Sequence, residues 1–215
     1  LYGSLRIMAD VVGKQQRADA ICRFLDDHVA DLKKRTADIP EQRRPSVYLG
    51  GVAYAGPHGF QSTEPTYPPF RFVGARNLAD NANPQTGEIT STDIAKEKII
   101  EWNPDYLFLD LSTLQLGDAA GGLHELMADP AYRTLDAVKT GKVYGVLPYN
   151  WYNQNFESIF ADAYFIGKLL YPERFTDIDP AAKADQIYTF MVGTPVFAAM
   201  NAQFQGLAFR AIPLR

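Results

Sequence analysis

Histidine is scarce in this chain, 3 in 215 residues, and cysteine scarcer still, with Cys22 alone. A single cysteine excludes an internal disulfide and any metal cluster built on thiolates. His28, His58 and His124 fall in three separate contexts, and no H-x-x-H or H-E-x-x-H spacing occurs. The usual zinc patterns are therefore missing. So are a G-x-S-x-G elbow, a G-x-G-x-x-G turn and a P-loop, which removes the common hydrolase and nucleotide-binding signatures. No apolar run reaches the ~18 residues that a membrane-spanning helix needs. Lys and Arg number 21 against 25 Asp and Glu, a net charge of −4, so nothing favours nucleic acid or an anionic membrane. Catalytic residues, resident cofactors and metal ligands are not expected.

What the chain does have is apolar and aromatic mass: 47% of residues are hydrophobic, with 12 Tyr and 13 Phe. That is enough for one large domain or two small ones. Residues 1–36 are expected to be helical. Ile7, Met8, Val11 and Val12 make one short apolar face, Gly13 ends that piece, and Ala18, Ile21, Cys22, Leu25, Val29 and Leu32 mark a longer amphipathic helix. Lys33, Lys34 and Arg35 suit its carboxyl end. On this reading Cys22 is buried and His28, beside Asp26 and Asp27, is solvated. A polar linker, Ile39 to Pro45, precedes a strand from Ser46 to Val52.

Residues Ala53 to Pro69 look irregular, Phe70 to Val73 form a short helix or strand, and Asn81 to Gly87 is turn chemistry. Thr90-Ser91-Thr92-Asp93 is expected to cap a helix carrying Ile94, Ile99, Ile100 and Trp102, which Asn103-Pro104-Asp105 stops. Tyr106-Leu107-Phe108-Leu109 reads as a strand buried on both faces, and Leu123 to Met127 as a short helix. Asp129-Pro130, Asp179-Pro180 and Thr194-Pro195 are three pairs suited to open helices, the last two near 180–191 and 195–204. Val143 to Leu147 is a strand ended by Pro148, and Phe156 to Leu170 a helix with Ile159, Phe160, Ala163, Ile166 and Leu170 inward. The alternation predicts an α/β fold: a mainly parallel, Rossmann-like sheet flanked by helices, preceded by a long amphipathic helix.

Between that last strand and helix lies Tyr149-Asn150-Trp151-Tyr152-Asn153-Gln154-Asn155, three aromatics and four amides in seven residues. The carboxyl edge of an open α/β sheet is where ligands bind. Tyr54, His58, Tyr67, Arg71, Tyr149, Trp151, Tyr152 and Asn153 are the candidate ligand contacts, suited to stacking, to hydrogen bonding and, through Arg71, to pairing with an anion. A different reading is a small α/β hydrolase-like enzyme using His58 with Glu64 or Asp110.

Several short stretches resemble one family. Val11-Val12-Gly13-Lys14 with Ala18 and the long helix is similar to an interlobe helix, and Ser46-Val47-Tyr48-Leu49 to the first strand of a C-terminal lobe. Asn77-Leu78-Ala79 after Gly74-Ala75-Arg76, Ile89-Thr90-Ser91 through Trp102-Asn103-Pro104-Asp105-Tyr106-Leu107, Tyr132 through Tyr144, and Tyr171-Pro172-Glu173-Arg174-Phe175 follow in family order. Together they resemble the helical-backbone class of ABC-transporter substrate-binding proteins, which take up ferric siderophores, haem, cobalamin and some oxyanions.

The resemblance implies a non-enzymatic subunit that captures an iron complex or related metal-bearing ligand and passes it to ABC permease subunits. It implies residence in the periplasm or at the outer face of the membrane, reached through the permease or an N-terminal anchor. Members usually carry another lobe before the interlobe helix. Residues 1–45 are therefore expected to be a lead-in with that helix, and 46–215 the C-terminal lobe. Glu157, just after the aromatic loop, is the expected permease-docking acid.

Overall fold

The computed structural model describes residues 1–80, 91–151 and 153–214. The expected turn at 81–87 and residues Ile89 and Thr90 lie outside them. Helix α1, Tyr2–Val12, stops at Gly13, whose φ of 67° is left-handed and returns its N–H to the helix. Helix α2, Gln15–Thr36, buries Ala18, Cys22, Leu25, His28, Leu32 and Thr36 at three- and four-residue steps. His28 is thus a core residue, contrary to the solvated position expected of it. The apolar residues Ile7, Met8, Val11 and Val12 of α1 are exposed.

Beyond α2 the strands β1 (Ser46–Gly50), β3 (Arg76–Asn77), β5 (Tyr106–Asp110) and β6 (Val143–Val146) form one parallel sheet in the order β3-β1-β5-β6. Two short strands, β2 (Ser62–Thr63) and β4 (Thr92–Asp93), pair antiparallel beside it. Thr92 and Asp93 are therefore paired strand residues and not the expected helix cap, because Thr63 and Ser62 occupy their backbone groups. The helices that follow are α3 (Pro68–Val73), α4 (Lys96–Trp102), α5 (Gly121–Ala128), α6 (Asp136–Lys139), α7 (Phe156–Leu170), α8 (Pro180–Val192) and α9 (Phe197–Gln203).

Strand side chains alternate between two cores, as a pleated strand requires. Val47, Leu49, Phe108 and Val146 pack toward α2, α3 and α7 with Leu25, Phe70 and Phe160. Tyr48, Leu107, Leu109 and Val143 pack on the opposite face with Ile99, Leu126, Tyr132 and Tyr188. Helix α7 is buried at every residue from Ser158 to Gly167, which is why its sequence is apolar on nearly all sides. The segment after α9 runs back along β6, where Ile212 N–H donates to Val143 O at 2.8 Å and Gly145 N–H to Arg210 O at 3.1 Å.

Two expected caps resolve differently. Asp129 closes α5 and accepts from the Ala131 N–H at 2.9 Å, so Pro130 starts only a tight turn leading to a 3-10 turn at Tyr132–Thr134. The start of α9 is capped not by Thr194 but by Asp185 of α8, which accepts from Phe197 N–H at 2.9 Å. Asp179-Pro180 opens α8 as expected, with the carboxylate accepting from Ala182 N–H at 2.8 Å.

The chain passes from β1 outward to β3 and then to β5 on the other side of β1. The direction of winding switches between β1 and β5, so a crevice opens at their carboxyl ends. There Gly50 lets the 51–67 loop fold tightly over the sheet. A Cβ on Gly50 would sit 2.4 Å from the Phe60 ring and 2.5 Å from the Phe60 carbonyl oxygen. Gly50→Ala is expected to cost about 1–3 kcal/mol through this overpacking, read as a lower urea midpoint with an unchanged slope.

Candidate functional site

Loops from three strands meet at the switch point. The loop after β1 and the loop after β6 are pinned together, Ala55 N–H donating to Trp151 O at 3.2 Å. The aromatic loop closes on itself through an Asn150–Gln154 bridge and the Asn155 N–H, which reaches Tyr149 O at 2.9 Å. His58 Nε2 lies 2.8 Å from Tyr54 O, and Thr113 of the loop after β5 donates to His58 O at 3.1 Å.

Beneath these loops lies a buried polar set: Glu64, Asp110 and Asp162, none more than 4% exposed, with Tyr67 and Tyr149. Asp162 on α7 accepts from Leu147 N–H at 2.9 Å and from the Tyr67 hydroxyl at 3.0 Å. Tyr149 donates to Glu64 Oε2 at 2.5 Å, and its ring lies 5.9 Å from that of Tyr67. The Asp162–Tyr67 and Glu64–Tyr149 pairs thus share one wall, from α7 across the end of β6 to the loop after β1. Asp110 accepts from Ser112 N–H at 2.8 Å.

Burial raises all three carboxyls, because a charge loses its hydration there. Glu64 is pushed up to about 7 by burial and by Asp110, against the opposing Tyr149 hydrogen bond and Arg71. Asp110 rises to about 6 despite the Ser112 and Ala53 N–H groups, and Asp162 rises well above the carboxylate range. Burial and the Glu64 carboxylate raise the Tyr149 hydroxyl in turn, so it stays protonated as a donor.

Glu64 and Tyr149 open onto a cavity of 290 Å³, also lined by Thr66, Arg71, Gln154 and Phe156. It sits between the amino ends of α3 and α7. A groove of 580 Å³ between Arg133, Lys139 and residues 211–214 is larger, but it lies at the amino end of β6, away from the crevice. Among the described residues no three His, Cys, Asp or Glu side chains are grouped as metal ligands.

The expected contacts divide by depth. Tyr54, His58, Arg71 and Asn153 are exposed around the crevice, Trp151 is half-buried, and Tyr67 and Tyr149 are buried in its wall. Tyr152 lies outside the described residues. Arg71 is shared between the cavity and an ion pair with Asp80 at 3.4 Å. Glu157 sits half-buried in the first turn of α7. No hydrogen bond joins His58 to Glu64 or Asp110 among the described residues, because His58 is spent on Tyr54 and Glu64 on Tyr149. The hydrolase-like pairing is not assembled. Asp162 escaped the sequence reading although it carried a signal, a lone acid inside the apolar run Ile159-Phe160-Ala161-Asp162-Ala163.

The profile of the periplasmic binding protein family matches residues 1–149, more than half of the chain. The chain belongs to that family. A curated relative within reach of this binding protein is the iron-uptake system-binding protein of Bacillus subtilis (strain 168). It is 27% identical over 146 residues, 66% of this chain and 43% of that protein. An ABC transporter solute binding protein from Sulfurospirillum deleyianum DSM 6946 superposes with a TM-score of 0.70 at 21% identity, over 96% of this chain and 61% of that one. The molybdate periplasmic binding protein MolA of Haemophilus influenzae, solved with molybdate bound, gives 0.69 at 20% identity, over 90% and 56%. Both likenesses speak for the fold. This binding-protein chain spans less than two thirds of each of the three.

Proposed function

We propose that the chain is part of the substrate-binding component of an ABC importer that captures an iron complex, siderophore-like or otherwise metal-bearing, and hands it to the permease. Residues 1–45 are then the lead-in with α2 as interlobe helix, and 46–215 the C-terminal lobe. The ligand lies over Tyr54, His58, Arg71, Trp151, Tyr152 and Asn153, with Tyr67 and Tyr149 behind them. Glu157 faces the permease, and the protein works on the periplasmic or extracellular side of the membrane. The observation that carries the reading is the pinned pair of loops at the switch point, beside a cavity that Arg71 and Tyr149 line together with Gln154 and Phe156. The iron-uptake role of the curated relative supports iron over other cargo.

Tryptophan fluorescence of the full-length protein tests this. Of the two tryptophans, Trp102 is on α4 and Trp151 is at the crevice. Ferric siderophores, haem, cobalamin and molybdate are titrated separately. Saturable quenching by a ferric complex, lost in Trp151→Phe, is the expected result. Trp151→Ala should weaken binding roughly tenfold, since a desolvated aromatic contact contributes about 1.5 kcal/mol. Quenching by molybdate alone, or by none of the four, overturns the iron reading.

A further inference from the structure

The floor of the cavity has a polarity that its rim does not. Each phenol has one proton to give, and both are committed: Tyr149 to Glu64 Oε2, Tyr67 to Asp162 Oδ2. The second Glu64 oxygen receives no hydrogen bond from the described residues, while its side chain lines the cavity. Glu64 is only 2% exposed, so a partner for that oxygen can come only from within the cavity. Arg71, the one cation lining it among the described residues, is at the rim, 56% exposed in its side chain and paired with Asp80. The depth therefore offers the Glu64 carboxyl, while Arg71 and the exposed Gln154 lie toward the rim.

We infer that Glu64, held by Tyr149, is the specificity-determining residue of this cavity and selects ligands that present a cationic or hydrogen-bond-donating group, such as an ammonium, over anionic ones. This rests on the cavity being part of the ligand site proposed above. A buried acceptor left unpaired costs about 1–3 kcal/mol, so a ligand lacking a donor at this depth is penalised as well as unrewarded. Other charges facing Glu64 are Asp110 from the end of β5 and Arg71 from α3, with the pair of Asp162 on α7 and Tyr67, just before α3, behind Tyr149. With its carboxyl near 7, Glu64 is mostly anionic above that pH. Below it the added proton removes the charge and can itself donate, so selectivity weakens.

The probes are a matched pair: a ferric trihydroxamate complex bearing a free ammonium group, and the same complex with that amine acetylated. Each is titrated into full-length protein by tryptophan fluorescence at pH 8 and pH 5.5. The expected result is a preference of about tenfold for the ammonium form at pH 8, the size of one well-placed partly screened charge pair, falling to within about threefold at pH 5.5. Glu64→Gln should bind both complexes alike at both pH values. Tyr149→Phe removes the bond that holds the Glu64 carboxyl down, so the pH at which preference appears should move upward; this readout serves even if Glu64→Gln folds poorly. Equal binding of the two complexes by the wild type at pH 8 overturns the inference and leaves the transport reading standing. Binding of neither overturns the inference, and the transport reading falls with it only if none of the four ligands titrated above quenches.

Discussion

Asp162→Ala should lose about 4 kcal/mol of unfolding free energy, whereas Asp162→Asn should lose only about 1 kcal/mol. The alanine removes the acceptor of two buried donors, the Leu147 N–H and the Tyr67 hydroxyl. Each orphaned donor costs about 1–3 kcal/mol, and both face a stretch of α7 that is buried at every residue. The asparagine behaves differently because burial favours a neutral group at this position. An amide matches the carboxyl in shape, keeps an oxygen for the Leu147 N–H, and replaces the acceptor of the Tyr67 hydroxyl with an N–H that donates to the Tyr67 oxygen instead. Urea denaturation of the three proteins at pH 7 checks both values. Comparable losses for the two variants would overturn this account, showing that the retained amide oxygen does not preserve the Leu147 bond. The alanine should also loosen ligand binding, because Asp162 ties the exit of β6 to the tyrosine that backs Tyr149.

What was legible in the sequence was whatever depended on local spacing. The run Tyr106-Leu107-Phe108-Leu109 is buried on both faces and became the central strand β5. The stripe of Ile159, Phe160, Ala163, Ile166 and Leu170 became α7 with the ends expected of it. The fold follows from these periods. Two of the misreadings share a cause: the deciding partner is distant in sequence. Thr92 and Asp93 pair with Thr63 and Ser62, and α9 takes its cap from Asp185 rather than from Thr194. His28 was misread although its place was available. It stands three residues after Leu25 and four before Leu32, on the buried stripe of α2. Counting only apolar residues hid it, and the adjoining Asp26 and Asp27 pointed the wrong way. The carboxyl edge of the sheet was expected to gather these loops, but the burial of its carboxyls was not, because an acid in a loop such as Glu64 looks like any solvated acid until its partner, Tyr149, is folded over it.

His28 leads to the second large effect, a pH dependence. Tyr164 gives its one hydroxyl proton to Asp31 Oδ2 at 2.8 Å, so His28 Nδ1, 2.9 Å from that hydroxyl, must be the donor. The imidazole is then neutral, with its bare Nε2 buried and without a partner among the described residues. Phe24 and Phe160 face the ring, and Lys183 adds repulsion that Asp31 and Asp27 only partly offset. Burial and Lys183 lower the imidazole to about 4. The unfolded chain therefore binds a proton near pH 6.5 that the folded chain refuses, and stability falls as pH drops from about 6.5 toward 4. Glu64 and Asp110, raised to about 7 and 6, act in the opposite sense: they stabilise the fold as pH falls through the same window. The wild-type profile alone would hide both. His28→Asn isolates the histidine, since its amide can still donate to Tyr164 but does not titrate. The stability of this variant relative to wild type should rise by about 2–3 kcal/mol between pH 7.5 and pH 4.5, whatever its offset at neutral pH. Urea midpoints across that range measure the difference. A constant offset would mean that His28 takes up its proton as readily in the folded chain as in the unfolded one, and that Nε2 has a partner on protonation.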